Sequence, residues 1–179
     1  MCSHCPPFAQ MKFQHLFASL LVALMVATGC KKSGPAADPG VDLSEPRQAQ
    51  PRLATLQLWL GPEHITAEMA LTPDQERTGM MFRTSMAEDE GMIFVFPAQR
   101  ASFWMKNCPL PLSVAYLDPD GVIQEIHDLQ PHNTNAVLSA SANIHFALET
   151  PQGWFQRHHV SEGMTVRTER GSLMETFQR

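Results

Sequence analysis

Residues 53–71 read LATLQLWLGPEHITAEMAL, and their patterning decides the class of fold. In the second half, Ile65, Ala67, Met69 and Leu71 alternate with Thr66, Glu68 and Ala70. That period of two belongs to a strand half buried on a sheet. Gly61-Pro62 separates the halves, so residues 53–60 and 65–71 are expected to form two strands around a turn. The next residues switch period: Thr72 supplies an N-cap, Pro73 the first helical position, Gln75 the third residue of a capping box, and Gly79 a stop after about two turns.

Working outward, Met92–Phe96 is an apolar run closed by Pro97, and strands are expected at 102–105 and 112–117 around the corner at Pro109 and Pro111. Asp118-Pro119-Asp120-Gly121 is a tight turn that returns residues 122–127 as a hairpin. Residues 129–142 read as a long polar loop. Ile144, Phe146 and Leu148 alternate again, Thr150-Pro151-Gln152-Gly153 turns the chain, and 164–168 is a last short strand. The expectation is a mainly β protein with a minor α part: a small barrel-like or curled antiparallel sheet with one or two short helices, its closure left open by the pattern.

The N-terminal region carries an address. From Met11, the preferred start, the chain reads MKFQHLFASLLVALMVATGC, with one lysine, an apolar run from Leu16 to Ala27 and small residues before Cys30. The run is shorter than the roughly 20 apolar residues that span a bilayer, so residues 1–29 are expected to be a cleaved signal peptide. The end of the run resembles the bacterial lipoprotein box, in which the cysteine is lipidated and becomes the new N-terminus; Ala27 stands where the box usually has leucine. That resemblance implies lipidation of Cys30, and Lys31 in place of aspartate implies the periplasmic face of an outer rather than an inner membrane. Residues 30–51, rich in Pro, Gly and Ala, read as a disordered tether, residues 52–171 as the domain, and 172–179 as a tail.

A chain of 179 residues has room for one such domain and not for two of ordinary size. Its net charge of −5 provides no basic stripe, which excludes nucleic acid as an expected partner. Of four cysteines, Cys2 and Cys5 precede Met11 and Cys30 takes the lipid, leaving Cys108 alone in the mature domain and no intramolecular disulfide framework.

Several runs resemble a family in combination: Arg77-Thr78-Gly79-Met80-Met81-Phe82-Arg83, Gly91-Met92-Ile93-Phe94-Val95-Phe96, Phe103-Trp104-Met105-Lys106-Asn107, Pro111-Leu112, Asp118 with Gly121, and Gly153-Trp154. Across Glu68 to Gly163 the chain resembles the uncharacterised DUF192 family, also called UPF0127. The resemblance implies a compact barrel-like β fold with small helices, often exported, and no particular activity. Ser113 stands where that family usually has aspartate, and Gly163-Met164 where it often has Gly-Asp, so chemistry resting on those carboxylates is not expected here.

Phosphate-cradling loops, His-Glu-x-x-His and Gly-x-Ser-x-Gly are absent from the sequence. The most informative run is Phe103 to Asn107, where strand alternation sends Phe103 and Met105 to one face and Trp104 and Lys106 to the other. Trp104, Lys106 and Asn107, with Arg77 or Arg83 as a bidentate clamp, are the candidate binding residues. The plainer alternative packs Trp104 in the core, leaves Lys106 as a solvated or salt-bridged end and has Asn107 cap the Pro109 turn. Glu125, His127, Asp128 and Glu149 are acid–base candidates, with Glu149 and Asp128 the catalytic pair of choice, against the simpler reading that all are solvated strand ends. His127, His132, His145 and His158-His159 lack ligand spacing, so no metal is expected, and no cofactor. Cys108 is expected to be an inert, partly buried thiol. Met80, Met81, Met86, Met92 and Met105 suggest soft thioether ligands for copper, yet core packing explains them more simply.

These features point to an envelope-anchored binding or accessory module for a small polar or anionic ligand or a glycan, contacting the membrane through its lipid. The alternatives are a hydrolase acting on envelope material through Glu149 and Asp128, or a protein–protein adaptor with an exposed apolar patch.

Overall fold

The alternation around Gly61 becomes a hairpin in the computed structural model, which describes residues 45–177. Strand β1 (Thr55–Leu60) pairs antiparallel with β2 (Glu63–Ala70) from Thr55↔Glu68 to Leu60↔Glu63. Helix α1 (Pro73–Thr78) begins as expected, with the Thr72 side chain accepting from the Gln75 backbone and the Gln75 side chain accepting from the Thr72 backbone. The remaining elements are β3 (Glu90–Gln99), β4 (Ser102–Phe103), β5 (Leu112–Leu117), β6 (Ile123–Leu129), β7 (Val137–Leu138), β8 (Ile144–Pro151), α2 (Trp154–Arg157), β9 (Val166–Thr168), β10 (Gly171–Ser172) and α3 (Leu173–Phe177).

Eight strands form one sheet in the order β10-β9-β1-β2-β3-β8-β5-β6, while β4 and β7 form a separate ribbon. The fold class is mainly β, but the sheet is mixed where an antiparallel one was expected. β2 and β3 run parallel from Thr66↔Glu90 to Ala70↔Phe94. No hairpin turn lies between them; α1 and residues 79–89 carry the chain back across the sheet, and such a crossover produces a parallel pair. The sheet curls without closing: the chain entering β6 meets the chain entering β9 at the isolated bridge Val122↔Thr165 and through backbone hydrogen bonds such as Val166 N–H to the Gly121 carbonyl at 2.8 Å.

The curl leaves a core on each face. Leu58, Ile65, Ile93, Ala115, Phe146 and Leu148 pack on one face with Trp154 of α2 and Leu173 of α3. Met92, Phe94, Leu112, Val114, Tyr116 and Ala147 pack on the other, under Met80, Met105 and Cys108. Leu173 is fully buried, so the chain beyond Gly171, where the sequence carries no strong signal, contributes to the first core.

Three other expectations change. The strand at 102–105 shortens to Ser102–Phe103, and the loop at 129–142 contains β7, which supplies its partner. The described end of the expected tether is placed against the domain: Gln50 Nε2 donates to the carbonyls of Gln75 and Gly79 at 3.2 and 2.9 Å, and Pro51 accepts from Arg83 at 3.3 Å. Cys30 and the signal segment lie outside the described residues.

Candidate functional site

The second core is incomplete where α1 ends. A cavity of about 190 Å³ opens there, between the α1 C-terminus, β3, the segment from Ala101 to Cys108 and one residue of β8. Met80, Met81, Phe94, Phe96, Phe103 and Met105 supply the apolar part of its walls, with Glu76, Arg77, Thr78, Gln99 and Ser102 among the polar part. Gly79 lies at the edge with φ of +44°, and a Cβ there would come within 3.3 Å of the Phe94 ring, so glycine serves both the backbone and the wall. Phe94 and Phe103 meet edge to face with centroids 4.9 Å apart.

The walls are tied to one another through backbone. Phe82 and Asn107 both adopt positive φ, and the Phe82 N–H donates to the Asn107 carbonyl at 2.7 Å. Met105 N–H donates to the Asn133 carbonyl at 2.7 Å, and His132 N–H to the Cys108 carbonyl at 3.0 Å. Asn107 therefore acts through its main chain, holding the loop at 105–108 against the loop at 80–83.

Glu149, from β8, lines the cavity. Its neighbours across the sheet are Met92 of β3 and Val114 of β5, both fully buried. The residue is only 4% exposed, and among the described residues Oε2 has no hydrogen-bond partner. Among the described residues it makes no ion pair, and burial alone pushes its pKa up to about 8. The group is thus a neutral carboxylic acid at pH 7, not the solvated strand end expected from the sequence.

Asp128 is not its partner. Register aligns Asp128 with Ser113 and Thr150, whereas Glu149 aligns with Val114 and His127. Successive residues of a strand face opposite ways, so the two carboxyls lie on opposite faces of the sheet. Asp128 is exposed and accepts from Ser113 Oγ at 2.5 Å; Ser113 Oγ in turn accepts from Gly153 N–H at 2.8 Å. Glu125 accepts from Ala140 N–H at 2.7 Å and lies 2.9 Å from His127 Nε2, on the edge strand β6.

The candidate binding residues divide. Trp104 lines the cavity and is 46% exposed, so the core alternative for it is set aside. Lys106 lies on the same side as expected, with Nζ 5.5 Å from the Trp104 ring centroid and an ion pair to Glu45. Arg77 also lines the cavity, half exposed and paired with Asp74 on its own helix. Arg83 belongs elsewhere: it is 8% exposed and bonded to Glu68 Oε2 at 3.0 Å, which makes it part of the structure and not a ligand clamp.

Cys108 lines the cavity with its thiol buried, pushed up to about 11 chiefly by burial. It is a poor nucleophile, as expected of an inert thiol. Met80, Met81 and Met105 serve as wall, consistent with packing. Sequence reasoning had Glu149 as a candidate but not its surroundings, since nothing local marks a strand covered on both faces. Trp104→Ala is expected to cost about 1 kcal/mol, well below the 3–5 kcal/mol of a buried tryptophan, and Lys106→Ala under about 0.5 kcal/mol. Urea unfolding of the two variants checks both values.

Comparison with known proteins bears on the family and the fold. Residues 57–168 match the model of DUF192, described as Uncharacterized ACR. No curated protein matches the chain. A structure from Sinorhizobium meliloti, of a protein provisionally described as a transcription regulator, is 32% identical, with a TM-score of 0.63 over 66% of this chain and 97% of that one. A protein of unknown function from Novosphingobium aromaticivorans is 27% identical, with a TM-score of 0.60 over 64% of this chain and 86% of that one. With the family pattern running through strands β1 to β9, the chain belongs to the DUF192 family.

Proposed function

We propose that this protein is an envelope-anchored binding module that holds a small molecule in the cavity beside α1. The observation that carries the reading is Glu149, a buried residue of the cavity lining with one carboxyl oxygen that has no partner among the described residues. A buried polar group without a partner costs about 1–3 kcal/mol, and a ligand that completes its hydrogen bonds removes that cost. Trp104 and Arg77 at the mouth supply a ring face and a cation for the outer end of the ligand. The cavity is smaller than the roughly 300 Å³ at the lower end of drug-sized sites, which favours a fragment-sized ligand over an extended glycan.

Enzymatic alternatives have less support. Glu149 and Asp128 occupy opposite faces, and Cys108 holds its proton. The reading is tested by a thermal-shift screen of a small-molecule library on the full chain. Ligands should raise the melting temperature of wild type, because binding to the native state stabilises it, and the same ligands should lose that increment in Glu149→Leu. A screen without such ligands would contradict the reading. The envelope location rests on Cys30, and Cys30→Ala should move the protein from the membrane to the soluble fraction; a wild-type chain without an acyl mass would contradict it.

A further inference from the structure

We infer that the inner end of the cavity is built for an uncharged carboxamide on a small apolar body, paired two-point with the carboxyl of Glu149. The inference rests on the binding reading above and names its ligand class. It follows from what surrounds Glu149 and from what does not.

Cations near this end of the fold are engaged elsewhere. Arg83 and Arg52 both bond Glu68, and Arg77 pairs with Asp74 at the mouth. Tyr116, on the same face of β5 as Val114, donates its hydroxyl to the Val137 carbonyl at 2.6 Å and so offers Glu149 no proton. The Cys108 thiol lies 3.7 Å from the Leu110 carbonyl. Among the described residues, the titratable groups facing Glu149 or lining its cavity are therefore Cys108, Tyr116, Glu76 and Arg77, with the His127–Glu125 pair one strand further along the register. Burial pushes Cys108 and Tyr116 up, so neither carries charge at neutral pH.

A protonated carboxyl presents one donor and one acceptor side by side, and a carboxamide presents the complementary pair. An ammonium ligand would instead need an ionised partner, and the apolar surroundings disfavour ionising Glu149. A carboxylate ligand would bring a charge into the same walls, where Arg77, half exposed, is the cation of the lining among the described residues. The remaining body of the ligand meets Met80, Phe94, Phe103 and Met105, whose sulfurs and ring edges suit a flat apolar group.

The test uses three probes with one body, benzamide, benzoate and benzylammonium, titrated by NMR into the full chain as wild type, Glu149→Gln and Glu149→Leu. At about pH 6 wild type should bind benzamide at least about tenfold more tightly than either charged probe, the scale of one well-made hydrogen bond. Its affinity should fall as the pH rises through about 8, where Glu149 ionises. Glu149→Gln, which keeps a donor beside an acceptor, should retain benzamide binding and lose the pH dependence. Glu149→Leu should weaken binding by about tenfold or more. Tighter binding of benzylammonium, strengthening with pH, would overturn the assignment in favour of an organic cation; preference for benzoate would overturn it in favour of an anion. Equal benzamide affinity in all three proteins would show that the amide does not reach Glu149. Binding of none of the probes would also overturn the carboxamide assignment, and ligands found in the wider screen would then leave the cavity reading standing.

Discussion

Glu149→Leu should gain stability relative to wild type as the pH rises, by about 3 kcal/mol between pH 4.5 and pH 7. The ordinary value of the group is 4.5 and its value in the fold is about 8. An acid with a raised folded value is protonated in both states below pH 4.5, where it imposes no ionisation penalty. Between the two values the unfolded chain ionises it while the fold retains the proton. Stability therefore falls with rising pH across that window, by about 1.4 kcal/mol per pH unit, and levels off above about 8. Leucine removes the titration, so its advantage over wild type should open in that window and no other. Urea unfolding at several pH values checks this, and parallel profiles for the two proteins would show that Glu149 is solvated. A residue that costs stability at neutral pH is one whose presence the fold does not explain, which is the argument for a ligand.

The second large effect concerns Glu68. It is 4% exposed and accepts from Arg83 at 3.0 Å, from Arg52 at 2.8 Å and from the Leu53 N–H at 2.7 Å. Glu68→Ala leaves the Arg83 guanidinium buried without its carboxylate and should cost about 3–5 kcal/mol. Arg52 has a side chain 55% exposed, so Arg52→Ala should cost about 1 kcal/mol or less. Chemical denaturation of the two variants distinguishes the buried pair from the exposed one; equal losses would contradict this division. The same contacts explain why Arg83, expected from its sequence neighbours to clamp an anion, does not reach the cavity.

Much of the architecture was legible because it follows from local chemistry. The hairpin at Gly61, the capping box at Thr72 and the turn at Asp118 each rest on residues a few positions apart. The parallel pairing of β2 with β3 was not, since it depends on where a crossover of some twenty residues returns. β7 escaped notice because two residues inside a polar loop carry no period.

The site divides along the same line. Alternation through Phe103 to Lys106 separated the buried Met105 from the exposed Trp104 and brought Lys106 beside Trp104, although the strand itself ends at Phe103 and a turn begins at Lys106. Glu149 read as a solvated end because alternation is judged against one wet face, whereas β8 is covered on both by the two cores. On the Glu149 face that covering is made by Met80, Met105 and Cys108, which are distant in sequence from β8, and no local pattern reports it.

A ligand that enters the cavity and meets Glu149 must disturb the methyl groups around it. The most direct measurement is methyl NMR of the full chain labelled at methionine, titrated with ligands from the screen. Met80, Met81 and Met105 line the cavity, whereas Met164 and Met174 pack against the opposite core. Ligands should shift the first three methyls in wild type, leave the other two unmoved, and lose their effect in Glu149→Leu. Shifts centred on Met164 or Met174, or the same shifts in the leucine variant, would contradict binding at Glu149.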